Sequence, residues 1–226
     1  MTVDYNNFAK TFSKSRKNMK WEEIEYFLSF LSSKKNKNVL DIWCWNGRFL
    51  WVLKENNIDF NNYLWVDLSK WLLEEAKIIY KENNFLELNM LDLDKNISVF
   101  DEKNPEKKWE NIFLIASFHH LQNFEERKKV IEILFKILEK GWKVFMTNWA
   151  LNSELNEKKY KNSIIKNSEN KFLSLDYKIK IWNFERFYHC FSLKELEILA
   201  KNCWFKIIEN RLFENKKNFV TIFKKN

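Results

Sequence analysis

The sequence predicts an α/β fold, a doubly wound and mostly parallel seven-stranded sheet with a C-terminal antiparallel hairpin. Two observations carry the prediction. Short apolar runs rich in β-branched and aromatic residues alternate, from residue 37 to residue 150, with segments whose apolar residues recur at three-and-four spacing. The final stretch, FKIIENRLFENKKNFVTIFKK, reads instead as two strands joined by a polar turn. A chain of 226 residues holds one well-cored domain of this kind, so 1–226 is expected to be a single unit.

In chain order, residues 4–16 and 19–32 read as helices, which makes 1–36 an N-terminal helical segment. KNVLDI (37–42) is the first strand, and an irregular DIWCWNG turn leads from it into the helix RFLWVLKENN. NYLWVD (62–67) is the second strand, with Ser69 placed to cap the helix SKWLLEEAKIIYKEN. FLELNML (85–91) and WENIFLIA (109–116) supply strands three and four, separated by a polar loop that holds Pro105. NFEERKKVIEILFKILEK (123–140) is an amphipathic helix closed by Gly141 and followed by the strand WKVFMTNWA. Residues 152–191 read as a substrate-side insertion or lid, because the stretch up to 184 is rich in Lys, Asn and Ser and weakly periodic. SLKELEILAKN is the last helix, with Ser192 as N-cap and Glu195 completing a capping box.

No apolar run approaches the roughly 18 residues of a membrane span. The N-terminus MTVDYNNFAKTFSKSRK lacks a signal peptide's apolar core, so a cytoplasmic protein is expected. Cys44, Cys190 and Cys203 are odd in number and without C-x-x-C spacing, which argues against a disulfide framework and against a metal site. A net charge of +8 suits a polyanionic partner such as RNA, although Lys-rich solvated loops produce the same balance. Two glycines stand beside eleven tryptophans. Average usage of about 7% predicts roughly 16 glycines in a chain of this length, and turns with positive φ have no cheap substitute for them.

Writing Gly at positions 43 and 45 turns VLDIWCWNGRFL into VLDIGCGNGRFL, which resembles the D-x-G-x-G-x-G motif of class I S-adenosylmethionine-dependent methyltransferases, a Rossmann-like family. The same exchange turns NYLWVDLSKWLLEEA into NYLGVDLSKGLLEEA, EKGWKVFM into EKGGKVFM and NCWF into NCGF. Trp51 and Trp182 fit less decisively on this criterion, whereas Trp21, Trp109 and Trp149 stand where an aromatic is at home. The reading predicts glycine in the natural polypeptide, from a gene whose UGA codons mean glycine but were translated as Trp. The resemblance implies S-adenosyl-L-methionine as cofactor, held by the first loop through Asp41, Trp43, Cys44, Trp45 and Gly47. It further implies that Asp67, with Leu68 beside it, accepts from ribose hydroxyls. Asp92 would meet the adenine amino group with Leu91 and Leu93 beside the ring, and Ala116 and Ser117 would line the methionine end.

With Gly restored, YNNFAKTFSKSRKNMKW (5–21), GRFLGV, SKGLLE, IASFHHL (115–121), TNWAL (147–151) and ERFYHCFSLKEL (185–196) resemble the tRNA wobble-uridine carboxymethyl methyltransferases, and here Trp51 and Trp71 too fit as Gly. That resemblance implies methylation of the carboxylate of 5-carboxymethyluridine in tRNA. It also implies a small activator subunit as partner, since the eukaryotic members work with a zinc-binding one. All three His residues lie in these segments. Arg186, His189, His120 and Arg16 are the expected catalytic set, and His119 and Tyr188 the substrate-binding pair. A carboxylate acceptor is already ionised at neutral pH, so these groups are expected to orient an anion rather than to remove a proton. Two other readings stand beside this one: a methyltransferase of a small metabolite or another RNA position, and, if the tryptophans are genuine, an inactive RNA-binding scaffold.

Overall fold

The computed structural model describes residues 21–31, 36–45, 47–81, 84–96, 108–165, 172–181 and 184–226. Its elements alternate as expected: α1 (Glu22–Leu28), β1 (Asn36–Ile42), α2 (Arg48–Glu55), β2 (Phe60–Asp67), α3 (Lys70–Ile79), β3 (Asn84–Glu87), α4 (Leu93–Asn96), β4 (Trp109–Ile115), α5 (Phe124–Ile137) and β5 (Leu138–Trp149). Next come α6 (Glu157–Tyr160), β6 (Ile164–Ile165), β7 (Leu175–Ile181), β8 (Phe184–Cys190), α7 (Leu193–Asn202), β9 (Phe205–Leu212) and β10 (Asn218–Lys225). The seven-stranded sheet runs β3-β2-β1-β4-β5-β10-β9, parallel up to β5 and antiparallel where β10 pairs with β5 and β9. This confirms the predicted Rossmann-like sheet with its C-terminal hairpin. The order reverses between β1 and β4, which opens a crevice at their carboxyl ends.

Strand alternation divides the core into two layers. Leu40, Ile42, Val66, Leu114 and Met146 face α5 and α7 through Val130, Leu134, Leu196 and Leu199. Val39, Tyr63, Trp65, Phe113 and Phe145 face α1, α2 and α3 through Phe27, Phe49, Leu53 and Ala76. Helix starts follow local chemistry. Ser69 accepts from the Leu72 amide, Asn123 from Glu126 and Ser192 from Glu195, each supplying an acceptor that the first turn lacks.

Several boundaries differ from expectation. The fifth helix stops at Ile137 rather than running to Gly141, because fully buried Leu138 pairs with Trp109 and so starts the strand. The third strand ends at Glu87, and Asn89 then accepts from the Leu91 amide to start a 3-10 turn over Met90–Asp92. The capping box is half made: the Glu195 side chain turns into the core, and it is Ser174 Oγ that accepts from the Ser192 amide. Within 152–191, where the sequence reads weak periodicity, β6, β7 and β8 form a second, antiparallel sheet. Its alternation, with Tyr177 and Ile179 buried and Lys178 and Lys180 exposed, is the signal in YKIKI that reveals it. The expected helix over 4–16, Pro105 and Trp182 lie outside the described residues.

Candidate functional site

The loop between β1 and α2 is built as a glycine loop and carries indoles. Trp43 has φ 58°, Trp45 φ 60° and Gly47 φ 78°, the left-handed region that side chains resist. The turn is pinned by the Trp43 and Cys44 amides donating to Val66 O at 2.6 and 3.2 Å and by the Gly47 amide donating to Cys44 O at 3.0 Å. At Gly47, whose φ already favours glycine, an added Cβ would meet the Trp65 ring at 2.8 Å and the Tyr80 ring at 3.0 Å.

Two carboxylates brace the loop. Asp67, at the end of β2, accepts from the Trp45 amide at 3.0 Å and from the Ser69 amide at 2.8 Å. Burial pushes its carboxyl up from 3.8 to about 7, against the lowering effect of those amides and that of Leu68. Asp41 is buried and accepts from the Tyr63 hydroxyl at 2.9 Å, beneath the loop. Cys44 lies close to both acids, and burial, then Asp67 and Asp41, push its thiol up. Asp92 is partly exposed at the 3-10 turn with Lys95 at 3.4 Å, Leu68 and Leu91 are half-buried, and Leu93 is fully buried. Ala116 adopts φ 53° at the end of β4, where its amide donates to Thr147 Oγ1 at 2.9 Å, and Ser117 Oγ donates to Ile42 O at 3.3 Å.

Across the crevice from the first loop, the second sheet meets the His-His turn. The Trp43 and His120 rings lie 5.5 Å apart. The Arg186 guanidinium, in a residue only 1% exposed, sits 5.6 Å from the Trp45 ring and 5.7 Å from the Tyr188 ring. Tyr188 lies 5.3 Å from His119 and 4.7 Å from His120, and stacks on Trp149 at 4.9 Å with planes 8° apart. Both histidines are neutral. Burial, followed by the charges of His120 and Arg186, holds His119 well below the usual range, and its Nδ1 accepts from the Trp149 amide at 3.2 Å. Burial and then Arg186 bring His120 down to about 3, and its Nδ1 donates to Phe187 O at 2.9 Å. The two rings therefore carry their protons on opposite nitrogens.

The structure brings Arg186, His119, His120 and Tyr188 together and leaves His189 out. On β8, Arg186 and Tyr188 share one face and His189 points to the other. Its Nδ1 lies 2.6 Å from Asp176 Oδ1 and its Nε2 2.8 Å from Glu195 Oε2, so it lies apart from the residues with which the sequence groups it as catalytic. Arg16 lies outside the described residues. Sequence reasoning missed Trp149, the wall behind Tyr188, and the carboxylate partners of His189. Among the described residues no group of three His, Cys, Asp or Glu side chains is placed to hold a metal ion, and no helix is long and apolar enough to cross a membrane.

The backbone of this crevice, with Asp67 at its edge, fits a hydroxyl-bearing ligand seated against bare peptide. The two indoles do not, since they lie against His120 and Arg186 in the space between loop and second sheet.

A family model described as "Methyltransferase domain" matches residues 15–210. The tRNA (carboxymethyluridine(34)-5-O)-methyltransferase alkbh8 of Xenopus tropicalis is 29% identical over 167 residues, 73% of this chain and 23% of that protein. This chain thus spans about a quarter of that relative's length. In fold it is similar to the putative methyltransferase of Haloferax volcanii, solved in complex with the Trm112 methyltransferase activator (TM-score 0.68, 11% identity, 99% of this chain and 98% of that one). It is similar too to 1,6-didemethyltoxoflavin-N1-methyltransferase of Burkholderia thailandensis, solved with 1,6-didemethyltoxoflavin and S-adenosylhomocysteine (TM-score 0.66, 13% identity, 99% and 86%).

Proposed function

We propose an acceptor for this chain, which belongs to the methyltransferase-domain family and is an S-adenosylmethionine-dependent methyltransferase: the carboxylate of a wobble 5-carboxymethyluridine in tRNA. The observation that carries the reading is the buried guanidinium of Arg186, sandwiched between Tyr188 and the first loop. A guanidinium held between aromatic faces is fixed in orientation, and its planar fork suits a carboxylate. The Xenopus relative, named for carboxymethyluridine in tRNA, supports the same acceptor chemistry.

The cofactor supplies an electrophilic methyl group, and this chain's residues do the placing. Arg186 holds the acceptor anion, Tyr188 packs beside it, and neutral His119 and His120 keep the neighbourhood polar without competing for the anion as cations. Too tight an ion pair would blunt the nucleophile, so Arg186 orients rather than activates. A small activator subunit is the partner we read from the family resemblance, in line with the Haloferax neighbour's assembly. With tRNA as acceptor the chain would work in the cytoplasm.

The reading includes glycine at 43 and 45 in the natural polypeptide. Support comes from the backbone: Trp43, Trp45 and Trp204 have φ of 58, 60 and 64°, a cost of roughly 1–2 kcal/mol each for a residue with a Cβ. Glycine removes that strain and vacates the space over Arg186 and His120.

The test is methyl transfer from labelled cofactor to bulk tRNA by the chain carrying Trp43→Gly and Trp45→Gly, followed by nucleoside analysis. Ester on the wobble uridine is expected, and Arg186→Ala should lower kcat with the fold retained. Label in small molecules alone would remove tRNA as acceptor. UGG codons at 43 and 45, or an intact mass with indole at both, would remove the glycine assignment and favour an inactive scaffold.

A further inference from the structure

A second cleft lies at the same carboxyl edge of the sheet, on the far side of Trp149 from Tyr188. Its volume is about 340 Å³, and it opens between the start of α1, the segment around α6 and the turn between β9 and β10. That size is in the range of small-ligand sites. Aromatic surface comes from three directions: Trp149 at the end of β5, Trp21 before α1 and Tyr160 at the end of α6. Lys159 and Lys217, both exposed, stand at its rim, and Lys159 Nζ lies 5.0 Å from the Tyr160 ring centroid.

The floor carries an unsatisfied acceptor. Asn218 is 5% exposed, and its Nδ2 donates to Glu23 Oε1 at 2.7 Å, which fixes the amide's orientation. Its Oδ1 accepts no hydrogen bond among the described residues. A buried carbonyl in that state offers a ligand donor a place to bind. Flat aromatic walls, rim lysines and an acceptor awaiting an N–H are together what a nucleotide recognises: base on ring faces, imide or amino group on the amide, phosphate on the cations.

We propose that this cleft binds one unpaired nucleotide of an RNA strand, its base stacked among Trp149, Tyr160 and Trp21 and its phosphate held by Lys159 and Lys217. The inference rests on the reading of an RNA acceptor. Because Trp149 stacks on Tyr188, which packs on His120 and Arg186, the nucleotide held here is the one flanking the base presented for methylation. The cleft thereby demands a single-stranded loop, since a paired base has no free face to insert.

Fluorescence anisotropy on the full chain tests it, with a labelled RNA hairpin carrying an unpaired seven-nucleotide loop and a fully paired duplex of equal length. The hairpin should bind more tightly. Tyr160→Ala should weaken it by about 5- to 100-fold with little change in salt dependence, and Tyr160→Phe should restore it. Lys159→Ala with Lys217→Ala should flatten the salt dependence by about one unit of slope per lysine, whereas Lys206→Ala, at the opposite end of β9, should leave binding unchanged. 5-Bromouridine in the loop should crosslink to Trp149, Tyr160 or Trp21. Equal affinity for duplex and hairpin, or hairpin binding by Tyr160→Ala as tight as the parent's, overturns the proposal. If tRNA is still methylated in that case, the acceptor assignment survives without the cleft. Loop stacking that persists with no methyl transfer to RNA retains the cleft and removes the acceptor.

Discussion

At single residues, backbone conformation and side-chain identity disagree in a way that can be measured. Trp204 follows α7 with φ 64°, donates its amide to Lys201 O and is 80% exposed, so its indole contributes little packing to offset the strain. Trp204→Gly is therefore expected to stabilise the chain by about 1 kcal/mol, seen as a rise in Tm of roughly 2–4 °C. Titration calorimetry should detect cofactor binding only after Trp43→Gly and Trp45→Gly, because only then is the crevice bare. Asp67 makes a pH prediction. A carboxyl raised from 3.8 to about 7 by burial holds its proton more tightly folded than unfolded, so its contribution to stability is fullest below 3.8 and falls as pH rises between those values. Melting curves between pH 4 and 8 should show that fall, and Asp67→Asn should remove it. These positions were partly legible in the sequence: the strand-turn-helix grammar is enough to locate 43, 45, 67 and 204. Trp51, Trp65, Trp71 and Trp142 do not have positive φ, so the backbone lends the glycine reading nothing there.

Between elements, a buried polar knot ties the second sheet to α5 and α7, the helices packed on the first. Glu195 on α7 lies 2.8 Å from His189 Nε2 on β8 and 3.0 Å, off the hydrogen-bond axis, from Arg127 Nε on α5, and accepts from Ser174 Oγ at 2.5 Å. Burial opposes its ionisation, yet His189, Arg127 and Ser174 together hold its carboxyl below the usual glutamate range. Its contribution is thus present at neutral pH and is lost as pH falls through that lowered value. Glu195→Ala leaves Arg127 and His189 buried beside a gap, with an expected loss of about 3–5 kcal/mol by chemical denaturation. Cofactor affinity should change far less than stability, since the knot lies on the face of β8 away from the crevice. The helix capped by Ser192 was readable from SLKELEILAKN. The knot was not, because Asp176, His189, Arg127 and Glu195 come together only after four elements have packed.

At the scale of the whole molecule, the last strand closes the sheet. β10 is paired on both sides, to β5 and to β9. Removal of residues 218–226 strips a partner from two strands at once and exposes unpaired edges, so the truncated chain is expected to aggregate, as size-exclusion chromatography would show. The same closure sets Asn218 in the floor of the second cleft and brings the β9–β10 turn to the carboxyl edge where the crevice lies.

The sequence by itself determined the α/β class, the alternation of strands and helices along the chain, the helix starts and the demand for glycine in the first loop. Those follow from short-range causes: periodicity of apolar residues, capping side chains and the steric limits of φ. Tertiary structure alone decided that Arg186, Tyr188, His120 and Trp149 converge while His189 turns away. That outcome depends on which face each residue of β8 presents and on how a second sheet folds back over the first, and neither is encoded within any one segment.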